Sequence, residues 1–278
     1  MATPSYEQIL SFGETRTQLV ECAIEEFNYW LKQDLTKDEL IQIASAIGEK
    51  YGLLASELGA QWYDLCTQLA GINAEPAELS TMDSESIAAS ANAAATRAES
   101  GIIAEAFGNY LQNVINESIR KTGDANLWRD YERGLAGGRW CRVPVGETCA
   151  WCLMLASQGA WYVSRESALG ETADHYHRDC NCIAVYHADA ESIKGYKELE
   201  RYKNIYYDAE NMNDADALGR DPYPEELAQR VQRAKSLHNE REDERERAAQ
   251  ERGEEYERKP WTRYNEDMVI IRYKYGLK

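Results

Sequence analysis

The sequence predicts a mainly α-helical fold, with an N-terminal helical domain, a small loop-rich module and a charged C-terminal helix. Three observations predict this class. Apolar residues recur at helical spacing over residues 15–133, four of the seven cysteines fall in a turn-rich window, and a highly charged stretch follows Pro224. The predicted domains are residues 1–136, 137–190 and 191–278.

The first two helices are predicted from apolar stripes. Between about residues 15 and 33, apolar residues recur every three or four positions, as on one helix face. Thr36 and Glu39 then stand at capping-box spacing, which predicts that a second helix begins there. Glycines at 48, 52 and 59 weaken its stripe, so this segment could be two helices. Cys22 and Cys66 fall on these stripes, which predicts small buried side chains.

Three more helices complete the predicted N-terminal domain. An Ala-rich helix is expected over residues 87–97, and another over residues 102–120 that Thr122 and Gly123 end. A shorter helix is expected from Asp124 to Arg133. The sequence GLAGG then breaks the pattern and marks the domain boundary.

The C-terminal part carries two further signals. Residues 224–252 form a highly charged segment with a thin apolar stripe, which predicts a solvated helix with paired Glu and Arg side chains. The closing sequence DMVIIRYKYGLK has the composition of a β-strand.

Charge and composition exclude some functional classes. The formal net charge is −17, from 31 basic and 48 acidic residues, which opposes binding of a phosphate backbone by the whole surface. No run of 18 apolar residues is present and the N-terminus lacks a secretory pattern, so a cytosolic protein is expected. The 18 Tyr and seven Trp residues, against three Phe, favour protein interfaces.

The cysteine window has the spacing of a metal site. The sequence TCAWC places Cys149 and Cys152 on one turn, and HRDCNC, separated from Cys152 by 24 residues, offers His177, Cys180 and Cys182. A C-x-x-C turn and a second pair of ligands from a distant turn complete a tetrahedron, and sulfur with nitrogen suits Zn(II). A tetrahedral site has four coordination positions, so one of the five candidate residues does not bind the metal, and the sequence alone does not identify that residue. A closed site of four protein ligands would be structural, since a catalytic zinc needs an open position.

Three enzyme classes are alternatives to this interpretation. Zinc deaminases need H-x-E ahead of P-C-x-x-C, and no histidine precedes Cys149 here. A thioredoxin-like redox site fits the loop that leads into a helix at Cys149, but no βαβ alternation surrounds it. A Cys-based hydrolase stays open as well, although four clustered cysteines are more than it needs.

The same window carries a family resemblance. The runs RWCRVPVGETCAWCLMLASQGAWYVS and YHRDCNCIAVYH, between Arg139 and His187, resemble the C-terminal motif of phage Mu protein F-like minor head proteins, most closely their actinobacteriophage minor capsid branch. The family motif falls on the five candidate ligands, with Arg142, Pro144 and Gly159 as framework.

The resemblance implies a structural role in a phage head. It implies a low-copy protein inside the virion, present in the host cytoplasm during assembly, that acts with the portal protein and other capsid or scaffold proteins. Its expected roles are procapsid assembly and DNA packaging or ejection. We therefore expect no enzyme activity, a structural Zn(II), no membrane contact and no sequence-specific binding of nucleic acid. The alternative is an intracellular thiol enzyme that uses the C-x-x-C.

Overall fold

The computed structural model describes residues 2–99, 101–134, 140–146, 148–158, 182–186 and 193–277. They form helices and two short strands in the order α1 (Tyr6–Leu31), α2 (Lys37–Ala70), α3 (Ser84–Ala98), α4 (Ile103–Glu132), β1 (Trp140–Val143), α5 (Ala150–Ser157), β2 (Ile183–Tyr186), α6 (Glu198–Ala217), α7 (Glu225–Glu251) and α8 (Arg263–Tyr275). The prediction of a mainly α-helical protein is confirmed.

The described residues divide into two compact units. The first lies within residues 1–145 and 160–196, and the second within residues 146–159 and 197–278. The predicted division at residues 136 and 190 stays a prediction, because much of the middle segment lies outside the described residues. None of the described helices combines the length and the apolar character needed to cross a membrane.

Helices α1 to α4 of the first unit pack around one apolar core. Ser5 and Gln8 form a capping box at the start of α1, and Thr36 and Glu39 form the predicted one at the start of α2. In the core, the buried rings of Phe27 and Phe107 stack with their centroids 4.6 Å apart. Their burial removes large apolar surfaces from water, which is the main favourable term in folding.

The three glycines of α2 do not divide it, so the segment is one helix of 34 residues. They face α4 instead. A Cβ at Gly52 would lie 3.1 Å from the Ser118 hydroxyl oxygen, and one at Gly59 would lie 3.0 Å from the Ile119 carbonyl oxygen. The glycines therefore allow the two longest helices of the first unit to approach closely, which outweighs their lower helix propensity.

The predicted end of a helix at Thr122 and Gly123 is wrong, because α4 continues to Glu132. Thr122 is buried, and its hydroxyl donates to the Ser80 carbonyl at 2.9 Å while accepting from the Ser80 N–H at 3.1 Å. Asn126, one turn further on, bonds the N–H and the carbonyl of Glu78 in the same way. Polar side chains of α4 thus satisfy the backbone of the extended segment between α2 and α3.

The two strands form an antiparallel ribbon in the first unit. Cys141 pairs with Val185 and Val143 with Ile183. Gly13 of α1 leaves room for the ribbon and the residues that follow it, since a Cβ there would lie 3.3 Å from Ile183 Cδ1 of β2 and 2.8 Å from Val145 Cγ1, just after β1.

The second unit contains α5 to α8. The predicted charged helix is confirmed as α7, but the prediction of a closing strand is wrong, because residues 263–275 form α8. Thr262 and Asn265 form a capping box before this helix, and Gly276 ends it with φ of 65°. Its buried Asp267, Ile270 and Ile271 share one helical face, so the apolar run that resembled a strand is the core side of a helix.

Candidate metal site

The first pair of predicted ligands lies at the start of α5. Cys149 is the N-cap residue, with extended backbone angles of −82° and 163°, and its Sγ accepts the backbone N–H of Cys152 at 3.3 Å. An N–H donor directed at sulfur stabilises a negatively charged thiolate, which is the form that binds metals. The observed turn therefore suits one half of a thiolate site.

Burial differs between the two cysteines. Cys149 is half-buried, whereas Cys152 is buried inside the second unit. The short helix that follows is almost wholly apolar, with Leu153, Met154 and Ala156 buried. It packs on α6 and α8, and the Thr148 hydroxyl lies 3.2 Å from the Tyr202 hydroxyl of α6. The C-x-x-C turn is therefore held by packing on both sides of Cys149.

The second set of predicted ligands is described only in part. Cys182 is buried in the first unit, immediately before β2, while His177 and Cys180 lie outside the described residues. Within the described ranges, no group of three or more His, Cys, Asp or Glu side chains could hold a metal ion. The zinc site thus stays a prediction. The Cys149–Cys152 turn has a geometry that suits two of its four predicted ligands.

The remaining described cysteines lie outside this turn. Cys141 is buried on β1 and Cys66 is buried on α2, as predicted for the latter. Cys22 is exposed, so its predicted burial is wrong. It lies at the edge of the α1 stripe, which is too wide for every position to face the core.

Two buried aspartates were missed by sequence reasoning. Asp267 of α8 is fully buried, and its Oδ1 accepts a hydrogen bond from the side-chain amide of Asn213 at 2.8 Å. Asp130 of α4 is also buried and accepts a hydrogen bond from the Tyr63 hydroxyl. Burial raises the pKa of both carboxyl groups above the ordinary value for aspartate. The sequence signal that could have predicted their burial is helical spacing, which puts each Asp on the apolar face of its helix.

Comparison with known proteins gives two matches. A family model described as "VG15 protein" matches residues 12–209, which include most of α1, all of α2 to α5 and the whole cysteine window. The chain is also 33% identical over 97 residues to the "Gene 15 protein" of Mycobacterium phage D29, an alignment that covers 25% of this chain and 35% of the relative. The chain thus spans about a third of the length of that curated relative. No solved structure matches.

Proposed function

Because the chain belongs to the VG15 protein family, we propose that it is a minor capsid protein of a phage head, acting with the portal protein during head morphogenesis. The family match over residues 12–209 carries this proposal, since it includes most of the helical bundle and the C-x-x-C turn. The relative named for a mycobacteriophage supports a viral structural or morphogenesis role. The resemblance of residues 139–187 to Mu protein F-like minor head proteins supplies the finer assignment.

The architecture supports a structural role. Residues 1–133 carry 21 acidic and nine basic residues, so the helical bundle is strongly acidic and suits binding to proteins better than to DNA. We propose portal, capsid or scaffold proteins as its partners and no sequence-specific contact with nucleic acid. The proposed locations are the inside of the virion head and, during assembly, the host cytoplasm.

The cysteine window would hold a structural Zn(II). Cys149 and Cys152 supply the first two thiolates, and two of His177, Cys180 and Cys182 supply the rest. When bound, zinc would contribute folding free energy to a short segment with little apolar surface of its own. The observed N–H bond to the Cys149 sulfur would orient that ligand.

Protein content of purified particles tests the proposed function. Particles of the phage that carries this gene should contain the chain in low copy, and particles grown with the gene interrupted should lack it and show assembly or packaging defects. Quantitative mass spectrometry and electron microscopy give the two readouts. Complete, filled and infectious heads that lack the chain would overturn the proposal.

A thiol enzyme is the second candidate function. The half-buried Cys149, with its sulfur accepting an N–H at a helix start, is the observation that favours it. The two functions differ in reactivity. A catalytic thiolate would be alkylated rapidly in the purified protein, whereas thiolates bound to zinc would react only after a chelator removes the metal.

A further inference from the structure

One end of the α1 to α4 bundle exposes four large apolar side chains. Tyr29 and Trp30 lie in the last turn of α1, and Ile102 and Ile103 lie where α4 begins. Their exposed fractions are 61%, 39%, 67% and 41%, respectively. We refer to these four residues as the end patch.

Core contacts place both parts of the end patch at the same end of the bundle. Phe27, just before Tyr29, stacks on Phe107, one turn after Ile103, at 4.6 Å. An ion pair between Lys37 and Glu99 joins the start of α2 to the end of α3. The α1–α2 and α3–α4 connections are therefore neighbours, and the apolar side chains flank both.

The end patch is rigid on its core side. Leu31 and Ala98 pack on the apolar core beneath it. The rings of Tyr29 and Trp30 meet edge to face with centroids 5.5 Å apart, and the Gln33 N–H donates to the Trp30 carbonyl at 2.9 Å. Rigid Tyr and Trp side chains lose little entropy on binding and are enriched among the residues that dominate interface energies.

The charge around the end patch selects the class of partner. Residues 25–39 and 97–105 hold seven acidic and three basic residues, a balance of −4. A second copy of this chain would place two like-charged surfaces against each other, and a nucleic acid would be repelled in the same way. A partner with apolar side chains and an excess of Lys and Arg would be attracted.

We propose that the end patch docks a basic amphipathic segment of another protein. Apolar side chains of that segment would cover Tyr29, Trp30, Ile102 and Ile103, and its cations would face the acidic rim. This mode matches the way an amphipathic helix lies on an apolar surface. The inference depends on this surface alone and holds or fails independently of the proposed role in a phage head.

Model peptides test the proposal with the full-length protein. The probe is an 18-residue peptide of Leu and Lys patterned as an amphipathic helix. A scrambled peptide of the same composition controls for charge, and a peptide of Leu and Glu in the original pattern controls for apolar character. Isothermal titration calorimetry should show binding of the patterned basic peptide, at least tenfold weaker binding of the scrambled one, and none of the acidic one.

Substitutions then locate the binding. Trp30→Ala and Ile102→Ser should each weaken binding of the patterned peptide by about tenfold or more. Trp128→Ala is the matched control, because Trp128 is another exposed Trp in the last turns of α4, away from the end patch, and it should leave binding unchanged. Circular dichroism checks that every variant keeps its helix content. Equal binding by all variants, equal binding of the scrambled peptide, or self-association through the end patch in sedimentation would overturn the proposal.

Discussion

The close approach of α2 to α4 makes Gly48→Ala a sharp test of the helical bundle. A Cβ at position 48 would overlap the hydroxyl oxygen of Tyr110 and lie 3.3 Å from both Tyr110 Cζ and Ile87 Cγ2. Tyr110 cannot move aside cheaply, because it is buried and its hydroxyl donates to the Ala44 carbonyl at 3.3 Å. We therefore expect an overpacking cost.

A second glycine gives the matched control. Gly123 also lies inside a helix, but a Cβ there would meet no atom within 4 Å. Replacing it with Ala should stabilise the protein by roughly 0.5–1 kcal/mol through helix propensity alone. Gly48→Ala gains the same propensity but adds an overpacking cost of about 1–3 kcal/mol. The difference between the two variants should thus be about 1–3 kcal/mol, with Gly48→Ala the less stable.

Guanidinium unfolding followed by far-UV circular dichroism gives the free energies. Hydrogen exchange of residues 107–118 assigns the effect to α4 rather than to the second unit. Tyr110→Phe supplies a rescue: it removes the overlapping oxygen, so Gly48→Ala should cost less in that background than in the wild type. Equal effects of Gly48→Ala and Gly123→Ala, or no coupling to Tyr110→Phe, would refute the packing argument.

Three further substitutions probe single contacts. Burial raises the pKa of Asp267 above its ordinary 3.8, so the stability that this carboxyl group contributes is complete below that pH and is lost as the pH rises through its folded-state pKa. The free energy of unfolding of Asp267→Asn in urea should therefore rise relative to that of the wild type between pH 3.5 and 7. A difference that stays constant with pH would contradict this. Burial alone would raise the pKa of Glu242, but hydrogen bonds from the Lys259 N–H, the Tyr256 hydroxyl and Arg245 outweigh burial, so the pKa is lower than the ordinary value for glutamate. The stability that the ionised Glu242 contributes is therefore present above pH 4.5 and is lost on acidification. Glu242→Gln should speed amide exchange at Lys259, and unchanged protection would count against that contact. Thr36→Ala should lower the free energy of unfolding by about 1 kcal/mol, measured by thermal unfolding, because it removes the N-cap of α2. An unchanged melting temperature would contradict a stabilising role of this cap.

Much of the bundle could be predicted because its helices carry local signals. The capping box at Thr36 and the apolar stripes are properties of nearby residues, and the structure confirms them. The continuation of α4 through Thr122 depends instead on Ser80, 42 residues away, whose backbone bonds to the Thr122 hydroxyl. Such a long-range contact leaves no trace in local spacing.

The closing helix and the cysteine window show two other limits. A short apolar run such as that around Val269 fits a strand or a buried helix equally well. The capping box at Thr262 and packing within the second unit stabilise the helix. For the cysteines, residue type and spacing predicted a thiolate turn at Cys149 and Cys152, which the N–H to sulfur bond fits. The residues that complete the predicted zinc site depend on the path of the chain between Cys152 and Cys182. The spacing of the cysteines alone does not determine that path.

Zinc stoichiometry of the purified full-length protein tests the central claim most directly. Mass spectrometry of the metal content should find about one zinc per chain in the wild type and in Cys22→Ser, whose exposed thiol lies outside the predicted site. Cys149→Ser should lose most of that zinc. If the wild type carries no zinc and the half-buried thiol of Cys149 reacts at once with a thiol reagent, the structural metal site is contradicted.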